Sequence, residues 1–217
     1  MKVFVHGLGQ SFESWNKTIS YMKDSENIFC PDLCSLLHNT EPDYNNLYGK
    51  FADYCNKFNE PIDLCGLSLG SILALNYAIE YPENVKSLIL IAPQYKMPVK
   101  LLKLQNLIFR FMPKSMFKQT GFDKNSFIQL CKTMMKLDFS DCVISCPTLI
   151  ICGEKDRANK KSSYELSKKL DSKLIFLKNS GHEVNIDSPK RLAKILKRFT
   201  SEKMTTRNLN IIPPATN

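Results

Sequence analysis

Several features that would place this chain outside the ordinary globular proteins are missing from its 217 residues. No apolar run approaches the roughly 20 residues that a membrane-spanning helix needs, so no stable membrane insertion is expected. The N-terminal segment lacks the apolar stretch of about 7–15 residues typical of secretory leaders, which predicts a cytoplasmic protein. No internal repeat is present. The hydrophobic and charged fractions, 43% and 24%, exclude a disordered, collagenous or coiled-coil chain. The length predicts one globular domain, with two small domains as the alternative.

Cysteine is plentiful, with 8 residues, but no C-x-x-C pair occurs, so the zinc-ribbon and thioredoxin signatures are absent. Cys65 and Cys152 end apolar runs, where a free cysteine behaves as a small hydrophobe. Because no secretory leader is recognised, we expect reduced thiols. No metal site and no organic cofactor are expected.

The net charge of +9 is unevenly distributed. Residues 95–140 carry 9 Lys or Arg against 2 Asp or Glu, whereas residues 1–94 are net acidic. Such a basic block either attracts an anionic substrate or an acidic membrane surface, or forms a solvated lysine-rich face, and composition leaves both open. No basic run is interleaved with aromatic residues, so no nucleic-acid partner is expected.

Short apolar runs alternate with longer amphipathic stretches along the chain. The alternation predicts an α/β fold, with a doubly wound and mostly parallel sheet of about six strands. Such sheets place their chemistry beyond the carboxyl ends of the strands. The predicted strands are Lys2–His6, Asn27–Cys30, Ile62–Cys65, Ser87–Ile91, Thr148–Cys152 and Lys173–Leu177. The predicted helices are Tyr44–Phe58, Leu69–Tyr81, Lys161–Leu170 and Pro189–Phe199.

Residues 95–141 interrupt this alternation, because they contain helical spacing but no strand-like run. We predict that they form an inserted cap of two or three short helices. The core then comprises residues 1–94 and 142–204. Residues 205–217 include Pro213–Pro214 and show no periodic pattern, which predicts a flexible tail.

The segment Ile62–Gly70, IDLCGLSLG, places a G-x-S-x-G motif between a strand and a helix. A nucleophile elbow requires a tight strand-to-helix turn with serine at its tip, and glycine at 66 and 70 removes side chains that would collide there. Ser68 is therefore the candidate nucleophile, with the helix N-terminus directed at the site. The alternative is that Ser68 simply caps the helix.

A serine nucleophile needs a base, and the base needs an orienting group. Of the 3 histidines, His182 lies in NSGHEV, just after the sixth predicted strand, at the edge of the sheet where catalytic residues are expected. His38 lies in a loop without such context and is predicted to be a surface residue. The acid should follow another strand, in the order Ser, Asp, His, and Asp156 satisfies this after TLIICGEK. Glu154 is a nearby competitor, and Asp156 could instead cap the following helix.

The segment His6–Gly9, HGLG, follows the first predicted strand and predicts a turn whose backbone N–H groups are exposed. We assign the oxyanion donors to the N–H groups of Leu8 and Leu69, with Gly9 as the adjacent alternative to Leu8.

Four motifs in order, HGLGQSFESW, GLSLGS, ICGEKD and SGHE, resemble those of the α/β-hydrolase superfamily over residues 1 to about 200. The resemblance implies Ser68 as nucleophile, Asp156 as acid, His182 as base and a cap at 95–141. The chain begins at the strand before HG, so the resemblance also implies that the family's first two strands are missing. A serine nucleophile disfavours the epoxide hydrolases and haloalkane dehalogenases, which use aspartate.

We therefore expect a carboxylesterase-like serine hydrolase that acts on a small-molecule ester with a short or medium, apolar acyl group. Thioesterase, lactonase, C–C hydrolase and acyltransferase activities stay open, as do a membrane-surface lipase and a binding protein with negligible turnover. Met and Phe are concentrated in the cap and suit either an adaptable apolar pocket or the contact between cap and core. These residues are Met97, Phe109, Phe111, Met112, Met116, Phe117, Phe122, Phe127, Met134, Met135 and Phe139.

Overall fold

Six parallel strands form one sheet in the computed structural model of the chain, which describes residues 1–22 and 25–201. The strands are β1 Lys2–Val5, β2 Ile28–Phe29, β3 Ile62–Leu67, β4 Val85–Ile91, β5 Thr148–Gly153 and β6 Lys173–Leu177. Their spatial order is β2-β1-β3-β4-β5-β6. The chain therefore extends the sheet in one direction from β1 and then in the other from β3. Doubly wound sheets bind ligands beside such a change of direction, at the carboxyl ends of the strands.

Helices connect the strands and cover both faces of the sheet. The α-helices are α1 Asn16–Ile19, α2 Leu33–Leu36, α3 Tyr44–Cys55, α4 Leu69–Glu80, α5 Val99–Phe111, α6 Lys124–Met134, α7 Lys160–Lys169, α8 Val184–Asp187 and α9 Pro189–Ser201. Within the described residues, 3-10 helices lie at Phe12–Trp15, Ser25–Asn27, Pro82–Asn84 and Lys114–Thr120.

Successive side chains of the inner strands enter two separate hydrophobic cores, as the two-residue period of a strand requires. In β4, Leu88 and Leu90 join the core under α3 and α4, whereas Ile89 and Ile91 join the core under α9. Every residue of β3 and β5 is buried, so these strands are continuous apolar runs rather than alternating ones.

The predicted α/β fold with a doubly wound parallel sheet is confirmed, and the sheet has six strands within the described residues. The ends of the elements differ slightly from the predictions. The second strand has only two residues, Ile28–Phe29, because it lies at the edge of the sheet and pairs with β1 alone. The fourth begins earlier, at Val85, where it is already paired with β3.

The segment between β4 and β5 contains α5, the 3-10 helix Lys114–Thr120 and α6, in agreement with the two or three helices expected there. Its two ends run side by side, because the N–H of Phe139 donates to the carbonyl of Tyr95 at 2.7 Å. The ammonium of Lys96 lies 3.6 Å from the carboxylate of Asp138 at the same place. The boundaries of the core and cap stay predictions, and residues 202–217, which include the predicted tail, lie outside the described residues.

All 8 cysteines are free thiols. Burial raises the pKa of the Cys152 thiol to about 11 and that of Cys131 to about 12, so these side chains serve as small hydrophobes at neutral pH. No helix within residues 1–22 and 25–201 is long and apolar enough to cross a membrane.

Candidate active site

Ser68 lies at the turn between β3 and α4 in a conformation that few residues other than glycine adopt, with φ 54° and ψ −112°. A Cβ atom at Gly66 would overlap the carbonyl of Gly70, and one at Gly70 would overlap the carbonyl of Val5. The two glycines therefore allow the turn to close against β1. Strained backbone of this kind is typical of functional sites. Ser68 occupies the N-cap position of α4, but its side chain forms no capping hydrogen bond, so the hydroxyl is not used as a cap.

The loop after β1 lies directly against Ser68. A Cβ atom at Gly7 would lie 3.4 Å from the Cβ of Ser68. The N–H of Gln10 donates to the carbonyl of Gly7 at 3.1 Å, which closes a turn with Leu8 and Gly9 at its centre, and Gly9 takes the φ of 96° that this turn needs. Among the described residues, the N–H groups of Leu8 and Leu69 form no hydrogen bond with another protein group.

Asp156 and His182 follow neighbouring strands and are in direct contact. The Oδ2 atom of Asp156 lies 2.7 Å from Nδ1 of His182. Burial raises the pKa of the Asp156 carboxyl, but the hydrogen bonds from His182 and Asn159 outweigh burial and leave that pKa below its ordinary value. Since an ionised carboxylate only accepts hydrogen bonds, Nδ1 of His182 donates to it, and in the neutral imidazole Nε2 then presents the lone pair.

Asn159 holds the Asp156 carboxylate in place, and this residue was not identified from the sequence. Its Nδ2 group donates to both oxygens of Asp156, at 2.9 and 2.8 Å. The amide oxygen of Asn159 accepts a hydrogen bond from Gln94 at 2.7 Å, which fixes the orientation of the amide. Asn159 precedes α7 and lies three residues after Asp156, so the only sequence signal was its position as a candidate helix cap.

The loops that carry Asp156 and His182 pack closely at the carboxyl ends of β5 and β6. The N–H of Lys155 donates to the carbonyl of Ser180 at 2.8 Å. A Cβ atom at Gly153 would overlap the carbonyl of Gly181, so glycine is required at the end of β5. This close approach brings the carboxylate and the imidazole together.

The alternative candidates have other roles. Glu154 accepts a hydrogen bond from the N–H of Asn179 at 3.0 Å and stabilises the turn before His182. His38 is exposed. His6 is buried, with its Nδ1–H donating to the carbonyl of Gly7 at 2.9 Å and its Nε2 accepting from the N–H of Leu33 at 3.2 Å. Burial lowers the pKa of His6, so it is a neutral structural residue under the loop after β1.

Ser68 and His182 are both half-buried at the same edge of the sheet, with Ser68 after β3 and His182 after β6. In the described part of the chain the Ser68 hydroxyl forms no hydrogen bond with His182. Catalytic hydrogen bonds are often long in ligand-free enzymes and shorten when substrate binds. The structure thus joins Asp156 and His182 directly and places Ser68 after β3, at the same edge of the sheet.

A second polar group, also not foreseen, joins the loop after β1 to the segment after His182. The amide of Gln10 donates to the carboxylate of Glu183 at 3.0 Å and to the side-chain oxygen of Asn185 at 3.3 Å. Gln10 and Asn185 are 6% and 0% exposed. The sequence offered only two uncharged polar residues, Gln10 inside the motif HGLGQSFESW and Asn185 soon after SGHE. Nothing in those positions predicts that the two side chains meet.

The methionines and phenylalanines of the cap include buried side chains, rings in edge-to-face contact and exposed side chains. Met97, Phe122 and Met134 are buried and belong to the main core. The rings of Phe109, Phe117 and Phe127 form edge-to-face contacts that join α5 to α6. Phe111 and Met116 differ from both sets, because they are 83% and 59% exposed. These two side chains neither pack in the core nor line an enclosed pocket.

Comparison with known proteins agrees with the fold. A family model described as alpha/beta hydrolase fold matches residues 3–126. The chain belongs to the α/β-hydrolase family. Among its curated relatives are the monoacylglycerol lipases ABHD6 of Bos taurus and Homo sapiens, which are 23% and 22% identical to it. Each alignment covers 95% of this chain and 77% of the relative.

Solved structures share the fold at low sequence identity. The enol-lactonase from Burkholderia xenovorans LB400 has a TM-score of 0.79 at 16% identity, with 93% of this chain and 92% of that chain covered. A putative lipase from Acinetobacter baumannii has a TM-score of 0.71 at 22% identity, with 91% and 82% covered. The thermophilic esterase from Thermogutta terrifontis has a TM-score of 0.70 at 16% identity, with 91% and 88% covered. At these identities the likeness establishes the fold, while the activity must be argued from the site.

Proposed function

We propose that this chain is a serine carboxylesterase that cleaves esters with a short or medium acyl chain through an acyl-enzyme. Ser68 is the nucleophile, His182 the general base and Asp156 the acid that orients it. The N–H groups of Leu8 and Leu69 bind the oxyanion. The proposal requires no metal ion and no organic cofactor, because every proton and electron pair in it comes from the chain, the ester or water.

The observation that carries the proposal is the 2.7 Å contact between Nδ1 of His182 and the buried carboxylate of Asp156. This contact fixes the tautomer in which Nε2 can accept a proton. A histidine held in this way, at the same sheet edge as a serine in a strained elbow, is the arrangement that activates a serine hydroxyl.

In the first half of the reaction, Nε2 of His182 takes the proton of the Ser68 hydroxyl as its oxygen attacks the ester carbonyl carbon. The carbonyl oxygen becomes an oxyanion and is stabilised by the N–H groups of Leu8 and Leu69. Asp156 stabilises the imidazolium that forms. When the tetrahedral intermediate collapses, the imidazolium gives its proton to the departing alcohol, and the acyl group stays on Ser68.

In the second half, His182 takes a proton from a water molecule that attacks the acyl-enzyme. The same two N–H groups stabilise the second oxyanion. The bond to Ser68 then breaks, the Ser68 oxygen regains the proton from the imidazolium, and the carboxylic acid leaves. Each half of the reaction returns His182 to the neutral tautomer that Asp156 selects.

The relatives support an ester as substrate, because the proteins similar to this chain include ones named as lipases and an esterase. Monoacylglycerol lipases by name act on glycerol esters, so a monoacylglycerol belongs in the substrate panel beside simple esters. Buried Phe and Met in the cap are consistent with an apolar acyl group.

The test is hydrolysis of p-nitrophenyl esters from acetyl to decanoyl, together with a monoacylglycerol, by the unmodified chain and by Ser68→Ala. We expect turnover with an optimum chain length, and a loss of at least about 10⁴-fold in Ser68→Ala. Ser20→Ala is the control, since Ser20 is exposed and its hydroxyl donates to the carbonyl of Lys17.

Turnover that survives in Ser68→Ala would overturn the assignment of the nucleophile. Absence of turnover on every ester, with product formed only when an alcohol or amine acceptor is added, would replace the esterase by an acyltransferase. Hydrolysis of thioesters alone would replace it by a thioesterase.

A further inference from the structure

Helix α5 presents an apolar stripe to solvent. Leu104, Leu107, Ile108 and Phe111 follow the i, i+3, i+4, i+7 spacing that places side chains on one face of a helix. Their exposed fractions are 55%, 50%, 53% and 83%. Met116, in the 3-10 helix that follows, is also exposed, at 59%. We refer to these five side chains as the α5 stripe.

The α5 stripe is not the face by which the helix is held to the protein. The other side of α5 carries the buried Asn106 and the half-buried Leu102 and Phe109. The ring of Phe109 lies 5.2 Å from that of Phe127 in α6, so α5 is anchored through its opposite face. Contiguous exposed apolar surface of this kind marks a site of interaction rather than an ordinary solvated face.

Basic side chains lie along the same segment as the α5 stripe. Lys100, Lys103 and Arg110 on the helix and Lys114 just after it are all exposed. Residues 95–122 contain no Asp or Glu, so no acidic side chain within this segment offsets these charges. An apolar stripe bordered by Lys and Arg is the pattern of helices that lie in the surface of a lipid bilayer.

We propose that the α5 stripe is a docking surface for an anionic lipid membrane. The four apolar side chains of α5 enter the boundary between headgroups and acyl chains, and the surrounding Lys and Arg side chains contact the negatively charged headgroups. This function is separate from the proposed ester hydrolysis and does not depend on Ser68. The same charges disfavour a second copy of this chain as the occupant, because two such faces would bring like charges together.

The experiment is sedimentation of the full chain with vesicles of phosphatidylcholine, with and without phosphatidylserine, in the absence of any ester. We expect binding that requires phosphatidylserine and weakens as the salt concentration rises. The combined variant Leu104→Ser, Ile108→Ser, Phe111→Ser is expected to lose at least about tenfold in partition coefficient. The pair Lys103→Gln, Arg110→Gln is expected to lose about tenfold or more, because each charge contributes about fivefold.

Tyr164→Ser is the matched control, because Tyr164 is 53% exposed but lies on α7, which packs on the core rather than in the cap segment. It should bind vesicles as the unmodified chain does. Circular dichroism and the thermal midpoint of every variant show whether the fold is kept, and none of the changed side chains is buried. Hydrolysis of a soluble p-nitrophenyl ester is measured separately, so loss of activity and loss of vesicle binding are told apart.

Three results would overturn the proposal. The first is equal binding to vesicles with and without phosphatidylserine, or no binding to either. The second is a folded apolar variant that still binds as tightly as the unmodified chain. The third is a dimer in light scattering that becomes a monomer in the apolar variant, without vesicle binding by either form, since this would identify a second copy as the occupant.

Discussion

Gln10 and Asn185, 175 residues apart in the chain, join their side-chain amides through two reciprocal hydrogen bonds. Gln10 donates to Asn185 at 3.3 Å, and Asn185 donates back to the Gln10 oxygen at 3.4 Å. That oxygen also faces the N–H of Gly7 at 3.4 Å. The pair therefore fixes the turn that presents Leu8 relative to the segment that carries His182.

This relationship predicts that Gln10 and Asn185 are positioning residues for the oxyanion site. We expect Gln10→Ala and Asn185→Ala each to lower kcat on a p-nitrophenyl ester about tenfold or more, with little change in KM, because the lost interaction acts mainly in the transition state. Because the two side chains share their hydrogen bonds, kcat of the double variant should be only slightly lower than that of the slower single variant. Steady-state kinetics on the three variants gives the comparison.

Asn76→Ala is the control for that series, since Asn76 forms a similar polar contact with Tyr44 at 3.2 Å but lies away from the site. It should leave kcat unchanged. Losses that add fully in the double variant, or that fall on KM alone, would contradict a shared positioning role for Gln10 and Asn185.

Asn159 is expected to act through Asp156. Asn159→Ala removes two hydrogen bonds from the carboxylate, so the pKa of Asp156 should rise. The hydrogen bond between Asp156 and His182 should also become less well ordered. Since Asp156 must be ionised to orient the base, activity is supported above the pKa of this pair and lost as pH falls through it. We expect kcat to drop about tenfold or more and the acidic limb of its pH profile to move to higher pH.

Asp43 and Asn46 provide a matched control for Asn159. They repeat the same arrangement at the start of α3, where Asn46 donates to Asp43 at 3.0 Å on an exposed surface. Asn46→Ala should move neither kcat nor the pH profile. A uniform loss of activity in Asn159→Ala, without any movement of the acidic limb, would assign Asn159 a purely structural role.

The buried His6 should make the stability of the fold depend on pH, independently of catalysis. Burial lowers its pKa below 6.5, and the carboxylate of Asp32, 4.0 Å from Nε2, opposes this only in part. The unfolded chain therefore takes up a proton before the folded one does. The contribution of neutral His6 is complete above about pH 6.5 and is lost as pH falls below it, by at most about 1.4 kcal/mol per pH unit.

The free energy of urea unfolding, measured between pH 7.5 and pH 5, tests this expectation. The stability of the unmodified chain should approach that of His6→Gln as pH falls. His38→Gln removes an exposed histidine and serves as the control, so its curve should stay parallel to that of the unmodified chain. If the curve for His6→Gln also stays parallel to that of the unmodified chain, the unfolded and folded chains protonate His6 alike between pH 7.5 and pH 5. That result would contradict the prediction.

Replacement of glycine by alanine should have opposite effects on stability at Gly49 and at Gly153. A Cβ atom at Gly49, on the exposed face of α3, would meet nothing within 4 Å, so Gly49→Ala should stabilise the fold by roughly 0.5–1 kcal/mol. At Gly153 the same atom would overlap the carbonyl of Gly181, so Gly153→Ala should destabilise it by roughly 1–3 kcal/mol. It should also separate Asp156 from His182 and reduce kcat. Thermal unfolding of both variants measures the contrast, and a stable, active Gly153→Ala would refute it.

The sequence predicted the order of the sheet elements well because buried parallel strands leave continuous apolar runs such as IDLCGL and TLIICG. The length of the edge strand was predicted less well: β2 has only two residues, because it pairs with one neighbouring strand alone. Gln10, Asn159 and Asn185 were missed because their roles depend on which loops meet in three dimensions. The outward position of Phe111 was missed for a related reason, since helical spacing does not reveal which face another helix will cover.

The most direct test of the catalytic assignment is the intact mass of the chain after treatment with a fluorophosphonate probe, which reacts with a serine only when its hydroxyl is activated. We expect one adduct, located on Ser68 by peptide mapping. It should be absent in Ser68→Ala and form far more slowly in Asp156→Asn, which leaves the geometry but removes the charge that fixes the His182 tautomer. Labelling of another serine, or equally fast labelling of Ser68 in folded Asp156→Asn, would contradict the proposed triad.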